Sequence, residues 1–174
     1  PMSGAQNAVT KQSANRRCRR EIECAMKNGD NVLIDALPSI GKSSNVIPAA
    51  RKTDSAVTIL TARHDLYNQY KEWCEDYQNN HNDNFEYQIL PSFFNDCPTA
   101  CGDEGDKWVQ RVKRIYNRGV SGHDIHNHAN QFFGESLPCT KGGKCSYNEE
   151  PNFDADVLIG HYSYAYVPPV VNGR

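Results

Sequence analysis

The residues with the clearest chemical potential lie at positions 36–43, where the sequence reads ALPSIGKS. This is the pattern of a phosphate-binding loop, with alanine at the position of its first glycine. In such a loop the backbone wraps around a phosphate, Lys42 reaches the β- and γ-phosphates, and the Ser43 hydroxyl holds Mg²⁺. We therefore predict an ATP site in which Lys42 and Ser43 are catalytic. The nucleotide would be bound by Ala36, Ser39, Ile40, Gly41, Lys42, Ser43 and Ser44.

A second candidate site lies in the segment TARHDL, which follows an apolar run and precedes a helical pattern. Thr61 and Arg63 place a hydroxyl and a guanidinium close to the free N–H groups of a helix start. Such a set can bind the phosphodiester backbone of a nucleic acid. We predict that Thr61 and Arg63 bind DNA, although a helix cap beside a surface arginine would give the same pattern.

Seven cysteines are present in a chain with no recognisable secretion signal. In a reducing compartment such a content favours metal ligation or free thiols over disulfides. Four of the cysteines stand in pairs among proline and glycine residues that favour turns, and we predict that they hold Zn²⁺ or a 4Fe-4S cluster. These predicted ligands are Cys97, Cys101, Cys139 and Cys145. A histidine could replace Cys101, the candidates being His123, His126 and His128.

The composition limits the class of protein. The 174 residues suffice for one domain, or for one domain with an insertion, and the net charge of −2 gives no overall basic signal for nucleic acid. Apolar runs are only four to six residues long, so we expect no membrane partner. The expected location is the cytoplasm.

Alternating strands and helices would position these residues, which predicts an α/β fold with a parallel sheet. Strands are predicted at residues 32–35, 56–60, 87–90 and 156–160, and helices at residues 6–28, 43–51 and 65–77. Residues 95–152 are too many for a simple crossover and predict a mainly helical, cysteine-rich insertion. Within it, helical patterns cover residues 104–117 and 121–133. The first carries a basic set that could line a DNA path or form a solvated face: Lys107, Arg111, Lys113, Arg114 and Arg118.

The order of these segments resembles the first RecA-like motor domain of superfamily 2 DNA helicases. A cysteine-bearing insertion before the segment ADVLIGHYSYAY makes the chain similar to the XPD/DinG branch. The resemblance implies an ATP-dependent helicase, that is, an ATP hydrolase acting on single-stranded or forked DNA, with a structural metal. Residues 1–94 would be the first part of the motor domain and residues 95–152 the metal-binding insertion. Residues 153–174 would be the return strand and the start of the next motor segment.

The chain departs from that family in ways that shape the expectations. No D-E-x-H box occurs before Arg174, so we expect the N-terminal part of a longer helicase, inactive alone, whose remaining domains follow Arg174. Ser39 stands where the loop usually has glycine, and the cysteine spacing leaves zinc and iron–sulfur both open. One alternative is a metal-stabilised nucleic-acid-binding module without ATPase activity. Another is a P-loop kinase, for which Asp35 is the one acidic candidate beside the loop.

Overall fold

The computed structural model describes residues 10–35, 38–141, 145, 147, 151–167 and 170, which form a mixed α/β protein. The chain divides into two units. The first, the sheet unit, contains Pro1–Ile89 and Phe153–Arg174, and the second, the cysteine unit, is Leu90–Asn152. The cysteine unit therefore starts five residues before the predicted insertion boundary at residue 95.

Helices of the sheet unit follow the signals in the sequence. Helix α1 (Lys11–Asn28) starts at Thr10, whose hydroxyl accepts a hydrogen bond from the backbone N–H of Ser13 at 3.1 Å, and it ends at the left-handed Gly29. A short 3₁₀ turn, Ser43–Asn45, leads into α2 (Val46–Thr53). Helix α3 spans Asp65–His81. The predicted helices are thus confirmed within the described residues.

The sheet is parallel and has the strand order β1–β3–β2. Its strands are β1 (Val57–Thr61), β2 (Tyr87–Ile89) and β3 (Val157–His161). The central β3 is buried along its apolar run, as expected for a strand covered on both faces. Three of the four predicted strands are confirmed. A RecA-like arrangement of the sheet stays a prediction.

The predicted strand at residues 32–35 is wrong. Residues 31–35 have no regular structure, and the side chains of Val32 and Leu33 are 51% and 93% exposed. A strand requires a hydrogen-bonding neighbour, and this segment pairs with none of the described strands. The local preference of an apolar run is therefore overridden by its tertiary context.

Two apolar clusters and a few ion pairs hold the sheet unit together. The larger cluster packs α2 and α3 on the sheet through Ile47, Ile59, Tyr67, Tyr70, Cys74, Phe85, Val157 and Ile159. The smaller one joins α1 to α2 through Cys18, Ile22 and Ala49. Glu23 of α1 pairs with Arg19 and with Lys52 of α2, at 3.0 and 2.6 Å. These contacts fix α1 beside the loop that precedes α2.

The cysteine unit is built from short helices. They are α4 (Phe93–Asp96), α5 (Pro98–Cys101), α6 (Gly105–Tyr116), α7 (Gly122–Asn127), α8 (Ala129–Phe133) and α9 (Pro138–Lys141). The helix predicted at residues 104–117 is confirmed by α6. The helix predicted at residues 121–133 is instead two helices, because the backbone at His128 (φ −118°, ψ 23°) leaves the helical region. No helix in the described ranges has the length and apolar character that a membrane crossing requires.

Candidate functional site

Four buried side chains of the cysteine unit converge on one point: Cys97, His126, Cys139 and Cys145. Their ligand atoms all lie within 4.8 Å of one another. The Sγ of Cys97 is 3.6 Å from that of Cys139 and 3.8 Å from that of Cys145. The Nε2 of His126 is 3.3 Å from the Sγ of Cys97 and 3.6 Å from that of Cys145. Three soft thiol groups and one imidazole can hold a metal ion.

Local structure explains why these side chains meet. Cys97 is the junction between α4 and α5, where its extended backbone and the following Pro98 turn the chain. Cys139 stands just after Pro138 in the first turn of α9. His126 lies on the buried face of α7 beside Ile125. Two short helices that begin with proline, α5 and α9, thus place Cys97 and Cys139 at their N-terminal ends, and α7 contributes His126.

Neighbouring groups orient His126. Its Nδ1 lies 2.8 Å from the carbonyl oxygen of Gly122, one helical turn earlier. Nδ1–H donates to that oxygen, which leaves the lone pair of Nε2 facing the thiols, as in a metal-ligating histidine. The ring of Tyr147 stacks on the imidazole at 4.8 Å, and Phe93 meets it edge-on at 5.5 Å.

The electrostatics of the pocket favour a cation. The pKa of Cys139 is lowered to about 3, chiefly because the thiol of Cys97 donates a hydrogen bond to its sulfur. The same hydrogen bond, followed by burial, raises the pKa of Cys97, and burial first of all raises the pKa of Cys145. Three thiols this close cannot all ionise without a countercharge. A divalent cation supplies that charge and allows all three to bind as thiolates.

Backbone donors prepare the sulfurs for negative charge. The backbone N–H of Thr99 hydrogen-bonds the sulfur of Cys97, and that of Tyr147 hydrogen-bonds the sulfur of Cys145. In both cases the donor is two residues after the cysteine. Such N–H groups favour the thiolate form of each sulfur.

The predicted fourth ligand, Cys101, does not join the cluster. It is exposed, and its thiol donates to the carbonyl oxygen of Asn95 at 3.2 Å. Cys101 is the last residue of α5, and the hydrogen bond to Asn95 keeps its thiol out of the cluster. His126, one of the three alternatives at the sequence level, takes the fourth place. His123 and His128 are exposed.

The candidate nucleotide loop is described from residue 38 onward, so Ala36 lies outside the described residues. Ser39 and Gly41 have positive φ values of 63° and 86°, whereas Lys42 is right-handed at φ −51°. Left-handed residues beside a right-handed one are typical of loops that turn successive N–H groups to one side. Ser43 and Ser44 then open the 3₁₀ turn that leads to α2.

Two amides hold the loop carbonyls. The Nδ2 of Asn15, on α1, donates to the oxygen of Ile40 at 2.7 Å, and that of Asn45 donates to the oxygen of Gly41 at 2.8 Å. Gly41 is required here, because a Cβ at this position would lie 2.1 Å from the Nδ2 of Asn15. These two loop carbonyls are thus engaged by side-chain amides.

Both predicted DNA-binding residues lie at the carboxyl end of β1. Thr61 is the last residue of β1, and its hydroxyl accepts a hydrogen bond from the backbone N–H of Arg63 at 3.2 Å. The guanidinium of Arg63, 68% exposed as a side chain, pairs with the carboxylate of Asp65. This ion pair raises the pKa of Arg63 and lowers that of Asp65, mainly through the hydrogen bonds between them.

Part of the basic set of α6 is already committed to contacts within the cysteine unit. Arg111 binds the carboxylate of Glu135 at 2.6 Å and lies over the ring of Trp108 at 4.3 Å. Lys107 pairs with Glu104 at 3.4 Å. These two cations therefore brace the unit in addition to any role at its surface.

Among the described residues, the four-residue cluster supports a specific chemistry most directly, because its atoms are already at ligand spacing. Comparisons of the chain with protein-family models, with curated proteins and with solved structures found no match.

Proposed function

We propose that the cysteine unit is a zinc-stabilised insertion in the nucleotide-binding part of an ATP-dependent DNA helicase. One observation carries the proposal: a four-ligand cluster in a segment that interrupts a parallel sheet between β2 and β3. The order of the phosphate-binding motif and the TARHDL segment along the same chain supports the motor function.

The spacing of the ligand atoms favours a single zinc ion over an iron–sulfur cluster. In a tetrahedral site with Zn–S of about 2.3 Å and Zn–N of about 2.0 Å, two sulfurs lie about 3.8 Å apart and sulfur and nitrogen about 3.5 Å apart. The sulfur pairs of Cys97 lie at 3.6 and 3.8 Å, and the sulfur–nitrogen pairs of His126 at 3.3 and 3.6 Å. A 4Fe-4S cluster binds each ligand on a different iron, normally with four cysteines, and needs a wider cage.

The zinc role that fits this site is structural. Four protein ligands fill a tetrahedral shell, so they leave no position for water or substrate. The core around the ligands is small, and its fully buried members are few: Phe93, Val112, Ile125 and Leu137. A unit of this size gains little from apolar burial alone, and metal binding supplies folding free energy directly.

In the motor, the loop would bind the phosphates of ATP. The N–H groups between Ser39 and Ser43 would face the phosphate oxygens, Lys42 would neutralise charge on the β- and γ-phosphates, and the Ser43 hydroxyl would hold Mg²⁺. When bound, Mg²⁺ supplies charge stabilisation during phosphoryl transfer. Thr61 and Arg63 would hold one DNA strand by its backbone, which predicts binding that depends on salt more than on sequence.

Metal analysis of the purified chain tests the zinc proposal. We expect one zinc per chain and no absorbance band from iron–sulfur charge transfer when the protein is prepared anaerobically. A brown protein with four irons per chain would overturn it.

Nucleotide affinity tests the motor proposal. Lys42→Ala should weaken ATP binding at least about tenfold, because one charge-assisted contact to phosphate is lost. Lys71→Ala is the matched control, since Lys71 is an exposed lysine of α3 whose partner is Glu75. Equal ATP affinity in the unsubstituted chain and in Lys42→Ala would contradict the motor proposal.

A specific observation favours the alternative of a metal-stabilised nucleic-acid-binding module without ATPase activity. The segment before the loop forms no strand, and Leu33 is exposed, whereas a phosphate-binding loop normally follows a buried strand. Under this alternative the chain would bind single-stranded DNA and zinc. Its affinity for ATP would be no higher than that of the Lys42→Ala variant.

A further inference from the structure

Three rings form a row at the carboxyl edge of the sheet, which we call the ring row: His64, His161 and Tyr162. The imidazoles of His64 and His161 are nearly parallel, at 11° with centroids 5.8 Å apart. The ring of Tyr162 follows that of His161 at 4.3 Å and 34°. Such packing limits the orientations open to each ring.

The topology brings these rings together from separate parts of the sequence. His161 is the last residue of β3 and lies opposite Thr61, the last residue of β1, in the parallel register. His64 immediately precedes α3. In parallel α/β sheets, ligands bind at the carboxyl ends of the strands, which is where the ring row stands.

Tyr162 is the exposed end of the row. It is 56% exposed, one of the few large apolar side chains in the described residues with that much surface. The ring of His161, on which Tyr162 packs, is held in place, because its Nδ1 accepts a hydrogen bond from the backbone N–H of Ser163 at 3.3 Å and lies 3.0 Å from the Ser163 hydroxyl. An aromatic side chain that is already oriented loses little conformational entropy when a flat ligand stacks on it.

We propose that the ring row is a stacking platform for one unpaired base of single-stranded DNA, with Tyr162 as the ring that contacts the base. This rests on the proposed single-strand binding by Thr61 and Arg63. Every base presents a π-face, so stacking on tyrosine is compatible with binding that does not depend on sequence.

Charge and chain order fit the same occupant. Arg63 directly precedes His64, so the guanidinium that would meet a phosphate and the first ring of the row are adjacent in the chain. Burial, and secondarily the electrostatic effect of His64, lowers the pKa of His161, which favours the neutral form of the middle ring. The row would thus offer the ring of Tyr162 to a base, while Arg63, which precedes His64 and pairs with Asp65, would offer its guanidinium to a phosphate.

Binding of a labelled oligothymidylate, followed by fluorescence anisotropy with the full chain, tests the platform. We expect Tyr162→Ala and Tyr162→Leu to weaken binding by about 10- to 100-fold, the range measured for base–aromatic stacking. Tyr162→Phe and Tyr162→Trp should bind within about threefold of the unsubstituted chain. Phe132→Ala is the control, because Phe132 is an exposed aromatic residue of the cysteine unit, 37% accessible.

An oligonucleotide of abasic sites separates base stacking from backbone contact. The unsubstituted chain should bind the abasic oligonucleotide as weakly as Tyr162→Ala binds oligothymidylate. Tyr162→Ala should bind the abasic oligonucleotide and oligothymidylate equally weakly. If the unsubstituted chain binds oligothymidylate but Tyr162→Leu binds it equally well, the platform is refuted while single-strand binding stands. If the unsubstituted chain binds no single strand, the proposed function and the platform both fail.

Discussion

Replacing His126 by alanine tests the assignment of the metal ligands most directly. The change removes the one imidazole of the cluster, whose Nε2 lies 3.3 Å from the sulfur of Cys97. The matched control is Cys101→Ser, which removes an exposed thiol four residues after Cys97. Sequence spacing suggests Cys101 as the fourth ligand, whereas the structure places His126 there. Comparing the two variants shows which of these residues binds the metal.

The expected size of the effect follows from a closed site of four ligands. Structural zinc sites have apparent binding free energies of about 10–16 kcal/mol near neutral pH. If the four ligands contribute comparably, loss of one costs about 3 kcal/mol, or about 100-fold in zinc affinity. The hydrogen bond from Nδ1 of His126 to Gly122 is lost as well, which adds to the destabilisation of α7.

Competition with a chromogenic chelator measures the zinc affinity, and circular dichroism during heating measures whether the helices of the cysteine unit melt earlier. The free chelator concentration that removes half of the zinc should be about 100-fold lower for His126→Ala than for the unsubstituted chain. Cys101→Ser should require the same concentration as the unsubstituted chain. The reasoning is refuted if Cys101→Ser releases zinc while His126→Ala retains it, because the fourth ligand is then the cysteine.

Three further substitutions test other contacts. Gly41→Ala should lower ATP affinity at least about tenfold in a titration with labelled nucleotide. The added Cβ would lie 2.1 Å from the Nδ2 of Asn15, and the φ of 86° at this position strains any residue with a side chain. Unchanged ATP affinity would show that the loop relaxes freely. Glu23→Gln should cost about 1 kcal/mol in urea unfolding at pH 7. Since its two cationic partners lower the pKa of Glu23 in the folded chain below 4.5, this difference should be complete above that pH and vanish as the pH falls through the folded value; a constant difference down to pH 2 would contradict the assignment. Gly122→Ala should weaken zinc binding about tenfold, because the added Cβ would overlap the Tyr147 hydroxyl at 1.9 Å and displace the tyrosine ring from the imidazole of His126. Unaltered zinc affinity in the chelator competition would show that Tyr147 does not help to orient His126.

Local signals in the sequence suffice for most elements of the sheet unit. The uninterrupted apolar run of β3 predicts a strand covered on both faces, and Gly29 marks the end of α1 through the left-handed conformation that glycine permits. The failed strand at residues 32–35 shows the limit of such signals. An apolar run indicates that burial is favourable, but a strand forms only where an adjacent strand can hydrogen-bond with it.

The metal ligands show the same limit at the level of a site. Proline and glycine around Cys97 and Cys139 mark turns in which thiols can converge, and this information is local. The choice between Cys101 and a histidine depends on where α7 lies relative to α4 and α9, which is tertiary information. The break at His128, which separates α7 from α8, has no strong breaker in the sequence. A continuous helix at residues 121–133 was therefore the natural expectation, and no spacing rule selects His126 from its neighbours.

The position of the cysteine unit in the chain links its metal to the stability of the sheet. Strands β2 and β3 are neighbours, with Ile89 opposite Ile159, yet the 67 residues 90–156 separate them in sequence. If those residues were unfolded, closing so long a loop to pair the strands would cost about 4 kcal/mol in chain entropy. A folded unit holds its two ends at a set separation and removes most of that cost. Zinc bound by Cys97, His126, Cys139 and Cys145 would therefore also stabilise the pairing of β3 with β2. Metal removal would then weaken the sheet as well as the cysteine unit.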